Sequence, residues 1–155
     1  MAYWLMKSEP DVYGIHHLEA EGVNMWEGCR NFVVRNYLKD EMQIGDLAFF
    51  HHSNIPPVGI VGVMEIVSES YPDPTQFDPN SKYYDATSKP ERPKWYVRDV
   101  RFVERFPRCV TLAEIKAHPV LSGMQVARKG QRLSIMRVEP HEWEIVMKLK
   151  DEPAP

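Results

Sequence analysis

The spacing of apolar and polar positions divides this chain into short strands and helices. Residues 3–6, Tyr-Trp-Leu-Met, form a continuous aromatic and apolar run that reads as a buried strand, breaking into a polar Lys7-Ser8-Glu9-Pro10 corner. Residues 11–18 place Val12, Ile15 and Leu18 on one side of one or two helical turns. Ser8 or Asp11 would cap them, and Gly22 and Asn24 would end them. From about Arg30 to Asp40, Phe32, Val33, Val34, Tyr37 and Leu38 predict a helix, against the β-branched pull of Val33-Val34. Residues 47–50 and 59–67 read as two strands around a proline-rich turn, and Gly59 and Gly62 point to a bulge or a close backbone approach. Residues 95–106 alternate well enough for one long strand with a slip near Asp99. Thr111-Leu-Ala-Glu114 is a capping box for a helix ending before Pro119. Residues 133–138 are a further strand, and Pro140 opens a last helix that buries Trp143, Val146 and Met147.

Residues 69–93 break this rhythm. They carry five prolines with Asp and Asn between them, so they form a long ordered loop or a flap; Tyr71, Phe77, Tyr83 and Tyr84 argue for packing against the body. Strands in mixed order with short helices between them predict an α+β fold, a curved sheet or partial barrel flanked by helices. Its size fits one domain, residues 1–150, with residues 151–155 as a frayed end.

Charge adds an asymmetry. Residues 1–88 hold 5 Lys/Arg against 13 Asp/Glu, whereas residues 89–137 hold 12 against 4, so a chain of net charge −3 contains a basic half suited to an anion. No apolar run approaches the roughly 18 residues needed to span a bilayer, so no membrane partner is expected. The start lacks a basic and apolar leader pattern. With only Cys29 and Cys109, free thiols and a reducing cytoplasm are the expectation.

Catalytic signatures are absent: there is no G-x-S-x-G, no Walker loop, no G-x-G-x-x-G and no H-E-x-x-H. The pairs His16-His17 and His51-His52 have no companion at ligand spacing, so neither metal nor cofactor is implied. Glu9, Glu27 and Asp46 have the chemistry of catalytic carboxylates, but their spacing does not favour that over turn capping. The aromatic and amide-rich positions say more. Trp26 lies between Asn24 and Gly28 in a loop, whereas Trp4, Trp95 and Trp143 fall in strand or helix patterns that favour core packing. A flipped base needs a π-surface, worth about 1–3 kcal/mol per base, plus donors and acceptors on its edge. Lys7-Ser8, Arg30-Asn31 and Ser53-Asn54 offer such groups at element ends, although Ser8, Ser53 and Asn54 are also ordinary turn and cap residues. Residues 126–137 hold Arg128, Lys129, Arg132 and Arg137 with no acid. Gly130 marks a tight turn whose backbone can approach a phosphate.

These segments together resemble the EVE domain family over nearly the whole chain. The resemblance rests on YWLMKSEP at 3–10, WEGCRN at 26–31, GDLAFFHHSN at 45–54, GIVG at 59–62, YPDPTQF at 71–77, PKWYV at 93–97 and MQVARKGQRLS at 124–134. Cys29, where an aliphatic residue is expected, and Arg137, where proline is expected, depart from the pattern. The resemblance implies a PUA-like fold related to YTH and ASCH domains, and a non-catalytic module that reads a modified base, methylated or hydroxymethylated, in DNA or RNA. By similarity of motif, the YTH cage tryptophan falls at Trp26 and the Lys-Ser strand end at Lys7-Ser8. The base pocket is then Trp26, Lys7, Ser8, Asn31, Ser53 and Asn54, with Tyr71 and Trp95 as candidates for a second wall. Arg30, Arg128, Lys129 and Arg132 would hold phosphates. On this reading, replacing Trp26 with Ala removes binding without unfolding the domain. The alternatives are a nucleotide- or RNA-processing enzyme using Lys7, Glu9 or Cys29, and a small-molecule or protein-binding module. The sequence does not fix the oligomeric state; a monomer is favoured.

Overall fold

The structure, a computed structural model, describes residues 1–155. In chain order the strands are β1 (Tyr3–Ser8), β2 (Val23–Met25), β3 (Leu47–His52), β4 (Gly59–Ile66), β5 (Tyr71–Pro72), β6 (Tyr96–Val97), β7 (Asp99–Thr111) and β8 (Ile135–Val138). The helices are α1 (Pro10–Tyr13), α2 (Ile15–Glu21), α3 (Phe32–Asn36), α4 (Leu112–Ala117) and α5 (Pro140–Leu149). Six strands make one mixed sheet in the order β2-β7-β4-β3-β1-β8, curled into a half-barrel, and β5 and β6 pair separately. Only β1 and β3 run parallel, with Lys7 beside His51 and Ser8 beside His52. This is the α+β curved sheet with short flanking helices that the sequence predicts. No helix is long and apolar enough to cross a membrane.

The strand period of two sends successive side chains to opposite faces, and both faces are buried. Trp4, Met6, Phe50 and Met64 pack one core with α2, α3 and Trp26. Leu5, Phe49, Val63 and Phe106 pack the other with Ile115 of α4 and Trp143 of α5, whose ring stacks on Phe49 at 3.8 Å. The close approach expected of the β4 glycines is present. A side chain at Gly62 would sit against Ile15 and the Glu104 carbonyl, and one at Gly59 against the Val110 carbonyl. Register shifts fall at Ile60/Gly62 and Phe50/His51. Thr111 caps α4 by accepting from the Glu114 N–H at 3.1 Å. Strand β8 runs through Arg137, whose guanidinium lies 4.5 Å over Trp4 and pairs with Glu41.

Three local expectations are corrected. The helical stretch at 11–18 is two helices, because Gly14 is extended between them; their caps are Glu9 and Gly14, while Ser8 stays in β1 and Asp11 lies inside α1. Instead of a side-chain cap, the start of α2 is held by the His52 Nε2, which accepts the Ile15 N–H at 3.1 Å. The single strand predicted at 95–106 is split at Arg98. That side chain turns inward to donate to the Leu38 carbonyl at 2.7 Å and the Ser68 carbonyl at 3.1 Å, so β6 and β7 pair with different partners.

Buried histidines make this fold acid-sensitive. His51 is 1 % exposed and neither ring nitrogen has a protein partner; burial, then the charge of Lys7, pushes its pKa down to about 3. Burial, then His16, holds His52 at about 4. The unfolded chain therefore binds these protons first. The contribution of these histidines is present above about pH 6.5 and falls as the pH drops from there towards 3, with a loss of roughly 5 kcal/mol from His51 alone by the acid end. Urea unfolding between pH 7.5 and 4 should show that slope, and His51→Leu should flatten it. A slope identical in the variant would refute the assignment to His51.

Candidate nucleic-acid interface

The polar end of β1 opens into a cavity of about 520 Å³, walled by α1, the loop after β2, the turn after β3, the long loop and residues 132–134. Each wall has a local cause. Lys7 and Ser8 arrive because β1 continues two residues past its apolar run. Ser53 and Asn54 follow β3, where Asn54 adopts a left-handed conformation at φ 68° and donates to Glu9. Trp26 enters from β2, its N–H bonded to the Arg98 carbonyl at 3.0 Å, and its ring meets Phe50 edge-on at 5.3 Å.

The long loop, residues 69–93, is fixed across this site through one carboxylate. Asp73, fully buried, accepts from the Gly28 N–H at 2.9 Å, Arg30 Nη1 at 3.0 Å, the Thr75 N–H at 2.8 Å and the Thr75 hydroxyl at 2.5 Å. Arg30 also donates to the Tyr83 carbonyl at 2.8 Å and lies over the rings of Tyr83 and Trp95. Gly28 has φ +85°, and a Cβ there would stand 2.5 Å from the Tyr83 ring, so only glycine admits Tyr83 to the cavity wall.

Of the residues the sequence singles out, Lys7, Ser8, Trp26, Arg30, Ser53, Asn54 and Arg132 line this cavity. Asn31 does not. Its side chain caps α3, accepting from the Val33 and Val34 N–H groups at 2.8 and 3.2 Å, and so is committed to its own helix. Tyr71 and Trp95 are also elsewhere. Tyr71 donates to Asp99 at 2.5 Å, while Trp95 is buried, donates to Asp85 at 2.8 Å and stacks on Phe32. Both rings need a partner for their polar end, and Asp99 of β7 and Asp85 of the loop supply it away from the cavity. Arg30 lines the rim, but its guanidinium is already engaged by Asp73, Thr75 and Tyr83. Arg128 and Lys129 line a neighbouring cavity.

Sequence reasoning missed Tyr13 and Tyr83, the other aromatic residues on the lining. The aromatic content of residues 69–93 indicated packing against the body, but nothing in the sequence said against which part. The Tyr13 and Ser53 hydroxyls are shielded from solvent and make no well-formed hydrogen bond within the protein, although Asn24 and Glu21 lie near that of Tyr13. Burial, then the charge of Lys116, lowers the pKa of Lys7, and burial, then Asp73, raises that of Glu27. The Cys29 thiol is pushed up to about 12, chiefly by burial, so it carries no thiolate. No group of three or more His, Cys, Asp or Glu stands close enough to hold a metal ion. Asp46 is occupied, accepting the Trp4 indole N–H at 3.0 Å and the Ala2 and Gln43 amides.

Residues 2–149 match the EVE domain family. Thymocyte nuclear protein 1 of Homo sapiens is 40% identical over 169 residues, covering 97% of this chain and 75% of the relative. A solved Pseudomonas syringae protein superposes with a TM-score of 0.93 at 42% identity, over 96% of this chain and 99% of that one. Human THYN1 protein, solved in complex with 5-methylcytosine containing DNA, superposes at 0.90 with 40% identity, over 99% of this chain and 100% of that one. At 12% identity and a TM-score of 0.53, the YTH domain of Zygosaccharomyces rouxii MRB1 protein shares the fold. The expected cytoplasmic setting is corrected by these names, since the human relative is by name a nuclear protein.

Removing Asp73 would leave the Arg30 guanidinium and the Gly28 amide without their acceptor. Asp73→Ala should cost roughly 3 kcal/mol in urea unfolding, as for a buried pair broken from one side. It should also expose residues 78–92 to limited proteolysis. An unchanged midpoint with no new cleavage would show that the loop is held by other contacts.

Proposed function

The chain belongs to the EVE domain family, and we propose that it is a non-catalytic module that binds nucleic acid carrying a modified base, held flipped in the cavity at the end of β1. The observation that carries this reading is the cavity itself, which combines the Trp26 wall with unpartnered hydroxyls from Tyr13 and Ser53 and the cation of Lys7. A base offers a flat face and an edge of donors and acceptors. Aromatic contact serves the first, and groups already dehydrated but unsatisfied serve the second at little further cost. Ser8 and Asn54 add hydrogen-bonding capacity on the same lining, and Arg132 brings a charge to the rim. The basic turn that continues from Arg132 through Lys129 to Arg128 is suited to the sugar–phosphate backbone.

Support also comes from the human relative. It shares the fold at 40% identity over 99% of this chain and was solved with DNA containing 5-methylcytosine. A methylated cytosine in DNA is therefore the first ligand to test. The buried, fully protonated Cys29 and the engagement of Glu9 by Asn54 both favour binding over turnover.

Trp26 is a poor probe of this proposal, contrary to the expectation from sequence. The side chain is 6 % exposed and part of a core cluster, so Trp26→Ala should also cost about 3 kcal/mol or more of stability. Tyr13→Phe and Ser53→Ala are cleaner, because each removes one unpartnered oxygen. In titrations with matched oligonucleotides, with and without 5-methylcytosine, the protein should prefer the modified strand. Each variant should weaken that binding about threefold to tenfold while leaving the melting temperature in place. Equal affinity for both strands would reject the reading of a modified base, and turnover of the oligonucleotide would replace it with an enzyme.

A further inference from the structure

Beside the base cavity lies a second one of about 470 Å³, and the two share Lys7. Its charged lining is entirely cationic: Lys7 from β1, Lys116 from α4, and Arg128 and Lys129 from the turn before β8. None of the four forms a salt bridge, and none of their side chains donates a hydrogen bond within the protein. Other concave or part-buried cations of the protein do have an acid, as Arg108 with Glu114 at 2.7 Å and Arg30 with Asp73 at 3.0 Å. Four cations around one concave surface repel one another, and the protein supplies no anion to offset it.

The backbone points the same way. The turn from Arg128 to Gln131 closes with the Gln131 N–H on the Arg128 carbonyl at 3.2 Å, and Gly130 takes φ +78° at its third position. The amides of Lys129 and Gly130 lie in the middle of this turn and have no acceptor in the protein. Free amides in a tight turn beside lysines and an arginine form an anion-binding concavity.

We propose that this second cavity is a phosphate site, built by Lys116, Arg128, Lys129 and the turn amides, and that Lys7 couples it to the base cavity, so that the ligand is gripped as a nucleotide at two points. The inference deepens the nucleic-acid reading above and adds Lys116, a residue of α4 on the opposite side of Lys7 from the base cavity. A phosphate there relieves the repulsion between Lys7 and Lys116, which lets the base cavity engage Lys7 in its charged form. The phosphate has two possible sources: an internal phosphodiester of a strand, or the terminal phosphate of a mononucleotide.

Inorganic phosphate, titrated at constant ionic strength and followed by amide NMR shifts, should move the Lys129, Gly130 and Gln131 signals saturably in the wild type and not in Lys116→Ala. Oligonucleotide affinity should fall about tenfold in Lys116→Ala, and the slope of log affinity against log salt should shrink by about one. The ratio between modified and unmodified strands should be retained, which loss of folding would not allow. Comparing the oligonucleotide with 5-methyl-2′-deoxycytidine 5′-monophosphate and its nucleoside separates the two sources. A mononucleotide that gains as much as the strand over the nucleoside assigns a terminal phosphate, and a gain confined to the strand assigns a phosphodiester. Phosphate shifts that fail to saturate, or that persist in Lys116→Ala, would overturn the site, as would an unchanged salt slope. If the protein fails to prefer a modified base but Lys116→Ala still reduces the slope, the phosphate site stands and the base reading falls.

Discussion

Asp73 is the point on which the site depends. One carboxylate, without solvent contact, receives the Gly28 amide, the Arg30 guanidinium and both Thr75 donors. Those donors belong to the loop after β2 and to residues 69–93. The bond network therefore joins the cavity's tryptophan loop to the segment that carries Tyr83. A buried carboxylate is tolerated only with such a full set of donors, so the same requirement that satisfies Asp73 fixes the geometry around it. Gln76, Ser88 and Asp85 extend the arrangement by accepting from Trp95 and Lys94, so a stretch rich in proline and polar residues is tied down by side chains in place of a sheet ladder.

The sheet divides the labour between its two faces. Adjacent residues at the end of β1 belong to opposite faces: Ser8 follows Trp4 and Met6, while Lys7 follows Leu5. Trp26, on the base cavity, packs in the first core, and Val126, beside the second cavity, packs in the other. A strand end at the sheet rim is the place where one side chain can reach both. Lys7 has that position, and its flexible stem suits it to bridging two cavities. Parallel pairing with β3 sets this end beside His51 and His52, whose low pKa values keep the rim free of further charge at neutral pH.

Much of this was legible in the sequence where the cause is local. The Thr111 cap, Pro140 at the start of the last helix, the paired glycines of β4 and the proline-rich loop all act through neighbouring residues, and all are found where the pattern places them. The basic run at 126–137 was likewise readable as charge. Asn31 shows the limit. Its place at a helix start marked it as a ligand donor, and only the bonds to Val33 and Val34 show that it is the cap of that helix.

What the sequence by itself determined is the longer elements, their hydrophobic faces and the residue types available for chemistry, because these follow from periods of two and 3.6 and from backbone constraints acting over a few residues. Tertiary structure decided which of those residues meet. Tyr83 reaches Gly28 across 55 positions of chain, Asp73 reaches Arg30 across 43, and Lys116 faces Lys7 from another element altogether. Each of those meetings is set by sheet order and by the need to satisfy buried charge and hydrogen-bonding groups, neither of which leaves a periodic signature in the chain.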